Sequence, residues 1–261
     1  MNRWLMLLVL CAAPVVSAQG ASRPAGPAIS VLGGGNVEAI LTALAPDFER
    51  TTNQSLSMAF GRASELRARI EAGEMADVVV IMRSDLDALA RARRVAPETV
   101  VNVARSAIGV AVRAGTPMPD MRSREAVTRA LVNAPSLAYA DPARGTTSGL
   151  FVTSLLENLG IAERVRAKTT LVVSDRPVGE AVASRVARGD AALGIGQLSE
   201  MLPVAGIAFV SPLAKELQPD LLVAAGVTTD ARNRDGALTF IRCLLSPRGA
   251  AVFNARGMTP P

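Results

Sequence analysis

The chain reads as an α/β protein built as two lobes, and three observations predict it. From Ala28 onward, short β-like runs alternate with helical patterns, the sequence form of a sheet with crossover helices. The same plan restarts beyond the Gly/Pro-rich turn Ala114 to Pro119. Removing an 18-residue leader from the 261 residues leaves 243, enough for two units of ordinary size.

Taken in order, Ala28 to Leu32 is the first expected strand and Gly33-Gly34-Gly35-Asn36 its tight loop. Val37, Ile40, Leu41, Leu44 and Phe48 then share one helical face. Leu56 to Phe60 reads as a strand, Gly61-Arg62-Ala63 as its loop, and Ser64 as the N-cap of a helix that turns Leu66 and Ile70 inward and stops at Gly73. Asp77 to Ile81 is a continuous apolar run of the kind a buried parallel strand shows, and Ser84-Asp85 opens the helix with Leu86 and Leu89. Ala107 to Val112 is another β-run before the turn.

In the second half, Ser136 to Tyr139 is a strand, Asp141 to Thr147 a polar loop, and Ser148 leads a helix bearing Phe151, Leu155 and Leu159. Leu171 to Val173 is a strand and Asp175-Arg176-Pro177 a loop. Val178, Val182 and Val186 share the next helix face, with Pro177 suited to its first turn and Gly189 as its stop. Leu221 to Val227 is a further strand, and Asp235 to Phe253 forms two helices broken at Pro247.

The first 18 residues carry the marks of a secretory signal: Arg3, the apolar run Trp4 to Val16, and small residues up to a cut near Ala18. A periplasmic location follows. Cleavage would remove Cys11 and leave Cys243 alone in an apolar stretch, where a buried thiol is the natural expectation. The chain has no histidine, which excludes Ser-His-Asp chemistry in its usual form and, with one cysteine left after cleavage, ordinary zinc or copper sites. No metal and no cofactor is expected. The net charge of +5 is spread along the chain and aromatics are few, so a nucleic-acid partner is not expected and a small anion is.

Four expected strand-to-helix loops share one chemistry. They are Gly33 to Asn36, Gly61 to Ser64, Gly145 to Gly149 and Arg176 to Val178. Each ends at a helix start whose first N–H groups have no partner inside the helix, and with the helix dipole behind them such groups hold anions. The glycine loop lacks the third glycine of a dinucleotide fingerprint and has no Gly-Lys-Ser/Thr after it. Thr146, Thr147 and Ser148 give more hydroxyls than one cap needs, and Arg62, Arg144 and Arg176 add guanidinium groups able to fork onto carboxylates.

These loops also carry a resemblance. Ile29 to Leu32, Phe60 through Ser64 to Ile70, Gly73, Ala76-Asp77-Val78, Tyr139 to Pro142 and Gly189 to Ile195 resemble the molybdate-binding branch of bacterial solute-binding proteins over nearly all of residues 28–259. The resemblance implies a type II periplasmic-binding fold, with two α/β lobes, two hinge crossovers and a central ligand cleft. It places lobe 1 at 28–105 plus 207–261 and lobe 2 at 106–206, with hinges near Arg105-Ser106 and Val204 to Val210. Its ligand positions fall on Gly35 and Asn36, where the family has a serine, on Ser64, on Thr147 or Ser148, on Val178, and on Gln197, where the family has a tyrosine.

The run Gly194 to Val204 resembles a side branch that is also similar to aconitate isomerase, an exported enzyme on the same scaffold. The leading expectation is a monomeric receptor that captures a small oxyanion and presents it to an ABC permease, with Arg62, Thr146 and Arg176 joining the ligand positions. The alternative is an isomerase or receptor for a tricarboxylate, with Tyr139, Asp141 and Glu200 as candidate proton carriers.

Overall fold

The computed structural model describes residues 27–261. Two five-stranded sheets organise it, with strand orders β2-β1-β3-β10-β4 and β7-β6-β8-β5-β9. In the first sheet the strands are β1 Ile29–Gly34, β2 Leu56–Gly61, β3 Val78–Met82, β4 Val101–Ser106 and β10 Leu221–Val227. In the second they are β5 Ile108–Arg113, β6 Leu137–Ala140, β7 Thr169–Val172, β8 Leu193–Gln197 and β9 Ile207–Pro212. Each sheet is parallel except for one strand: β10 runs against β3 and β4, and β5 runs against β8 and β9.

Helices α1 Glu38–Thr52, α2 Ala63–Glu71 and α3 Arg83–Arg91 serve the first sheet, together with α9 Arg234–Leu244 and α10 Pro247–Ala255. The second carries α4 Arg124–Asn133, α5 Thr147–Asn158, α6 Ala162–Arg166, α7 Val178–Arg188 and α8 Leu198–Met201. Strand parity explains why both faces of each sheet are covered. In β3, Val78, Val80 and Met82 join the large core, while Val79 and Ile81 join a second one with Leu66, Ile70, Leu86 and Leu89. Phe48 of α1 meets Phe240 of α9 edge to face, with ring centroids 5.2 Å apart.

Asp77 is a buried anchor. Its carboxylate accepts from Ser30 N at 2.8 Å, Arg232 N at 2.7 Å and Asn233 N at 2.9 Å, and so ties the chain leaving β10 back to β1.

Only Ala107 separates β4 from β5, so the first passage between sheets lies where the sequence places a hinge. The second does not. Ile207–Pro212 pairs with β5 and belongs to the second sheet, so the return passage lies at 213–220 rather than at Val204 to Val210. Gln218 ties the two passages together: its Oε1 accepts from Ile108 N at 3.1 Å, and its Nε2 donates to Ile108 O at 2.7 Å and Leu213 O at 3.1 Å. The signal sequence expected at residues 1–18 lies outside the described residues.

Candidate functional site

The carboxyl ends of β1, β2, β3 and β8, with the helix starts that follow β1, β2, β6 and β7, face one cavity of about 240 Å³ between the lobes. From the first sheet come Gly34, Gly35, Asn36 and Glu38, and the segment Phe60 to Ala63 with Glu65. From the second come Thr146, Thr147 and Ser148, the segment Ser174 to Val178, and Gln197 with Glu200. Ligands of open α/β sheets sit at this edge because the loops and helix N-termini gather there.

A short 3-10 turn, Gly35–Val37, carries the glycine loop into α1. Asn36 is buried there, its Nδ2 3.7 Å from Met82 Sδ. Arg62, not Ser64, holds the N-cap position of α2; it offers no side-chain cap bond and its guanidinium lies 3.7 Å from Glu65. Ser64 is the second residue of that helix and is not in the cavity wall. Its Oγ lies 3.6 Å from where a Cβ on Gly145 would stand, at a contact between the lobes.

In the third loop Thr146, not Ser148, is the cap: its Oγ1 accepts from Gly149 N at 3.2 Å. Thr146 and Ser148 are buried yet line the cavity. Gly149 is required by close approach, since a Cβ there would stand 2.6 Å from both Ala140 O and Thr146 Oγ1. Pro177 is the N-cap of α7 rather than its first helical residue. Arg176 is ion-paired with Glu180 one turn on.

Besides Ser64, three expected residues lie elsewhere. Tyr139 alternates with Ala138 on β6 and turns its ring toward the large core, beside Thr153 and Leu156 in a separate cavity. Asp141 caps the turn after β6, accepting from Ala143 N at 2.9 Å. Arg144 is exposed and not in the cavity wall, so two loop arginines reach it instead of three. Of the candidate proton carriers, Glu200 alone lines the cavity.

Glu200 is buried, and its Oε2 accepts from Gly179 N at 2.6 Å, on the first turn of α7. Gly179 makes this possible, because a Cβ there would lie 2.6 Å from Glu200 Cβ and Oε2. Burial pushes the Glu200 carboxyl up to about 7; the Gly179 N–H opposes the rise, and Glu38 and Glu180 add to it. Gln197, three residues earlier, is also buried and accepts from Ser106 Oγ at 3.0 Å, which links the cavity wall to the first passage between lobes.

The sequence offered no signal for the wall residues outside the four loops, Ile81, Met82 and Ser174 among them. Glu38 and Glu65 look like ordinary first-turn acids, and Phe60 like one more strand residue.

The family model for bacterial extracellular solute-binding proteins matches residues 29–259. The chain belongs to that family. This solute-binding protein is 29% identical over 259 residues to an aconitate isomerase from Pseudomonas sp, covering 97% of this chain and 94% of that one. Among solved structures, the periplasmic molybdate-binding protein of Azotobacter vinelandii superposes with a TM-score of 0.70 at 18% identity, over 89% of this chain and 99% of that one. The sulfate-binding protein SubI of Mycobacterium tuberculosis superposes with a TM-score of 0.66 at 15% identity, over 90% and 87%. At these identities the likeness shows the fold, type II periplasmic-binding, and leaves the ligand to the residues of the cavity.

Proposed function

We propose that this solute-binding protein captures a small oxyanion, most simply a polycarboxylate, between its lobes in the periplasm and presents the closed form to an ABC-type permease. The observation that carries the reading is the convergence of four helix starts, two from each sheet, on one cavity. Its volume of about 240 Å³ has room for a ligand of several carboxylates. Arg62 and Arg176 reach it from opposite lobes, where they would pin two such groups.

Calorimetric titration with molybdate, sulfate, citrate and trans-aconitate tests the reading. Binding of a polycarboxylate, weakened at least tenfold by Arg62→Ala or Arg176→Ala, supports it. Binding by none of the four, or binding indifferent to both substitutions, overturns it.

One observation favours a second reading, an isomerase acting on an unsaturated tricarboxylate. Glu200 stands in the wall with a carboxyl poised near neutral pH, as a proton carrier requires. Its carboxylate would take a proton from the methylene carbon beside the double bond; the bond would migrate, and the proton would return to the far carbon. Mixing the protein with cis- or trans-aconitate and following absorbance decides the matter. No conversion by the wild type sinks this second reading and leaves the first intact.

A further inference from the structure

We infer that the Glu200 carboxyl group is a hydrogen-bond donor to the captured anion, so that the loaded, closed cleft carries one more proton than the open, empty one. This rests on the reading of the cavity as an anion site and adds a rule of specificity to it. The geometry assigns the two oxygens different work. Oε2 accepts from Gly179 N, while Oε1 makes no hydrogen bond among the described residues and belongs to a side chain in the cavity wall. A protonated carboxyl has one acceptor oxygen and one O–H, and here the O–H is the part left to meet a ligand.

The burial that keeps the proton in place comes from both lobes. Glu200 belongs to α8 in the second lobe, yet a Cβ on Gly35 of the first would stand 3.8 Å from its Oε1 and 3.7 Å from Pro177 Cα. Separating the lobes would withdraw Gly35 and admit water to the carboxyl, which then ionises more readily. The acids nearest it favour the acid form: Glu38 on α1 and Glu180 on α7 both push the carboxyl up. An adjoining cavity that Glu200 also lines adds Asp175 from the loop before α7, Arg176, engaged by Glu180, and Arg256 from the end of α10, while Arg62 and Glu65 face it across the anion cavity.

A second consequence follows for the ligand. With Glu200 protonated, the side chain joins the helix N–H groups, the hydroxyls of Thr146, Thr147 and Ser148, and the two arginines as one more donor. Ionised, it sets a negative charge against an anion in a closed space. Capture of a fully ionised ligand therefore draws a proton from solution, and affinity falls as the pH rises above neutral.

The experiment is calorimetric titration of the protein with trans-aconitate at pH 8, in two non-anionic buffers of different ionisation enthalpy. The expected result is uptake of about one proton per ligand bound, with affinity falling about tenfold per pH unit between pH 7.5 and 9. Glu200→Gln, whose amide keeps a donor and cannot titrate, is expected to bind with no proton uptake and a flat profile over that range. Should this variant fail to fold, the proton count of the wild type alone decides. Tight binding by the wild type with no proton uptake and a flat profile overturns the inference and leaves the ligand reading standing. Absence of binding by trans-aconitate, citrate, sulfate and molybdate alike overturns both.

Discussion

Replacing Glu200 with glutamine is expected to remove a pH dependence from the stability of the closed protein, in which Gly35 and Glu200 meet across the lobes. In the folded chain the carboxyl holds its proton up to about 7, against 4.5 for the free group. Between those values the folded state binds more protons than the unfolded chain, so unfolding releases a proton and stability falls as the pH rises. The stabilisation of the acid form is fully present below about 4.5 and is lost by about 7. A shift from 4.5 to about 7, at about 1.36 kcal/mol per unit, corresponds to about 3 kcal/mol. The glutamine variant has no such loss, because its amide has the same charge at every pH. Chemical denaturation of wild type and variant at intervals from pH 4 to 9 measures the effect, and subtraction removes the carboxylates common to both. The stability difference is expected to move by about 3 kcal/mol in favour of the variant between pH 4.5 and 8. Curves that stay parallel across that range would refute the claim that the ionised carboxyl is held out of water.

Three further outcomes are expected. Asp77→Ala leaves three part-buried N–H groups without their acceptor and should cost about 1–3 kcal/mol in denaturant midpoint experiments, with little effect on ligand affinity. Phe48→Ala removes a ring that is 1% exposed and packed against Phe240, and should lower stability by about 3–5 kcal/mol by the same measurement. Gly149→Ala forces Ala140 O or Thr146 to shift, and should cost about 1–3 kcal/mol in stability and weaken binding of the anion in a calorimetric titration.

Much of the local structure was legible in the residues themselves. The bounds of β10 at Leu221 and Val227 coincide with the apolar run that announces it. Gly73 and Gly189 stop helices where they are expected to, at φ of +94° and +84°, conformations that side chains with a Cβ avoid. Four loops that end at helix starts could be named because glycine, hydroxyl and cap patterns are local signals.

What the residues alone could not convey depends on neighbours distant in sequence. Val204 to Val210 reads as a hinge until β5 is seen to pair with Ile207–Pro212, since strand pairing is decided by a partner about a hundred positions away. Tyr139 is a polar-tipped aromatic beside a promising loop, and only the parity of β6 within its sheet sends it to the core. Arg144 and Arg176 sit in similar loops, yet one is exposed and the other lines the cavity. Glu200 shows the same limit from the other side. Composition names a glutamate; its burial, its bond to Gly179 and its near-neutral carboxyl arise only when α7, α8 and the glycine loop of the opposite lobe close around it. Periodicity along the chain sets which elements form, because it is a property of adjacent residues, whereas the protonation of a cavity wall depends on how far water is kept away, and that is decided by the assembled fold.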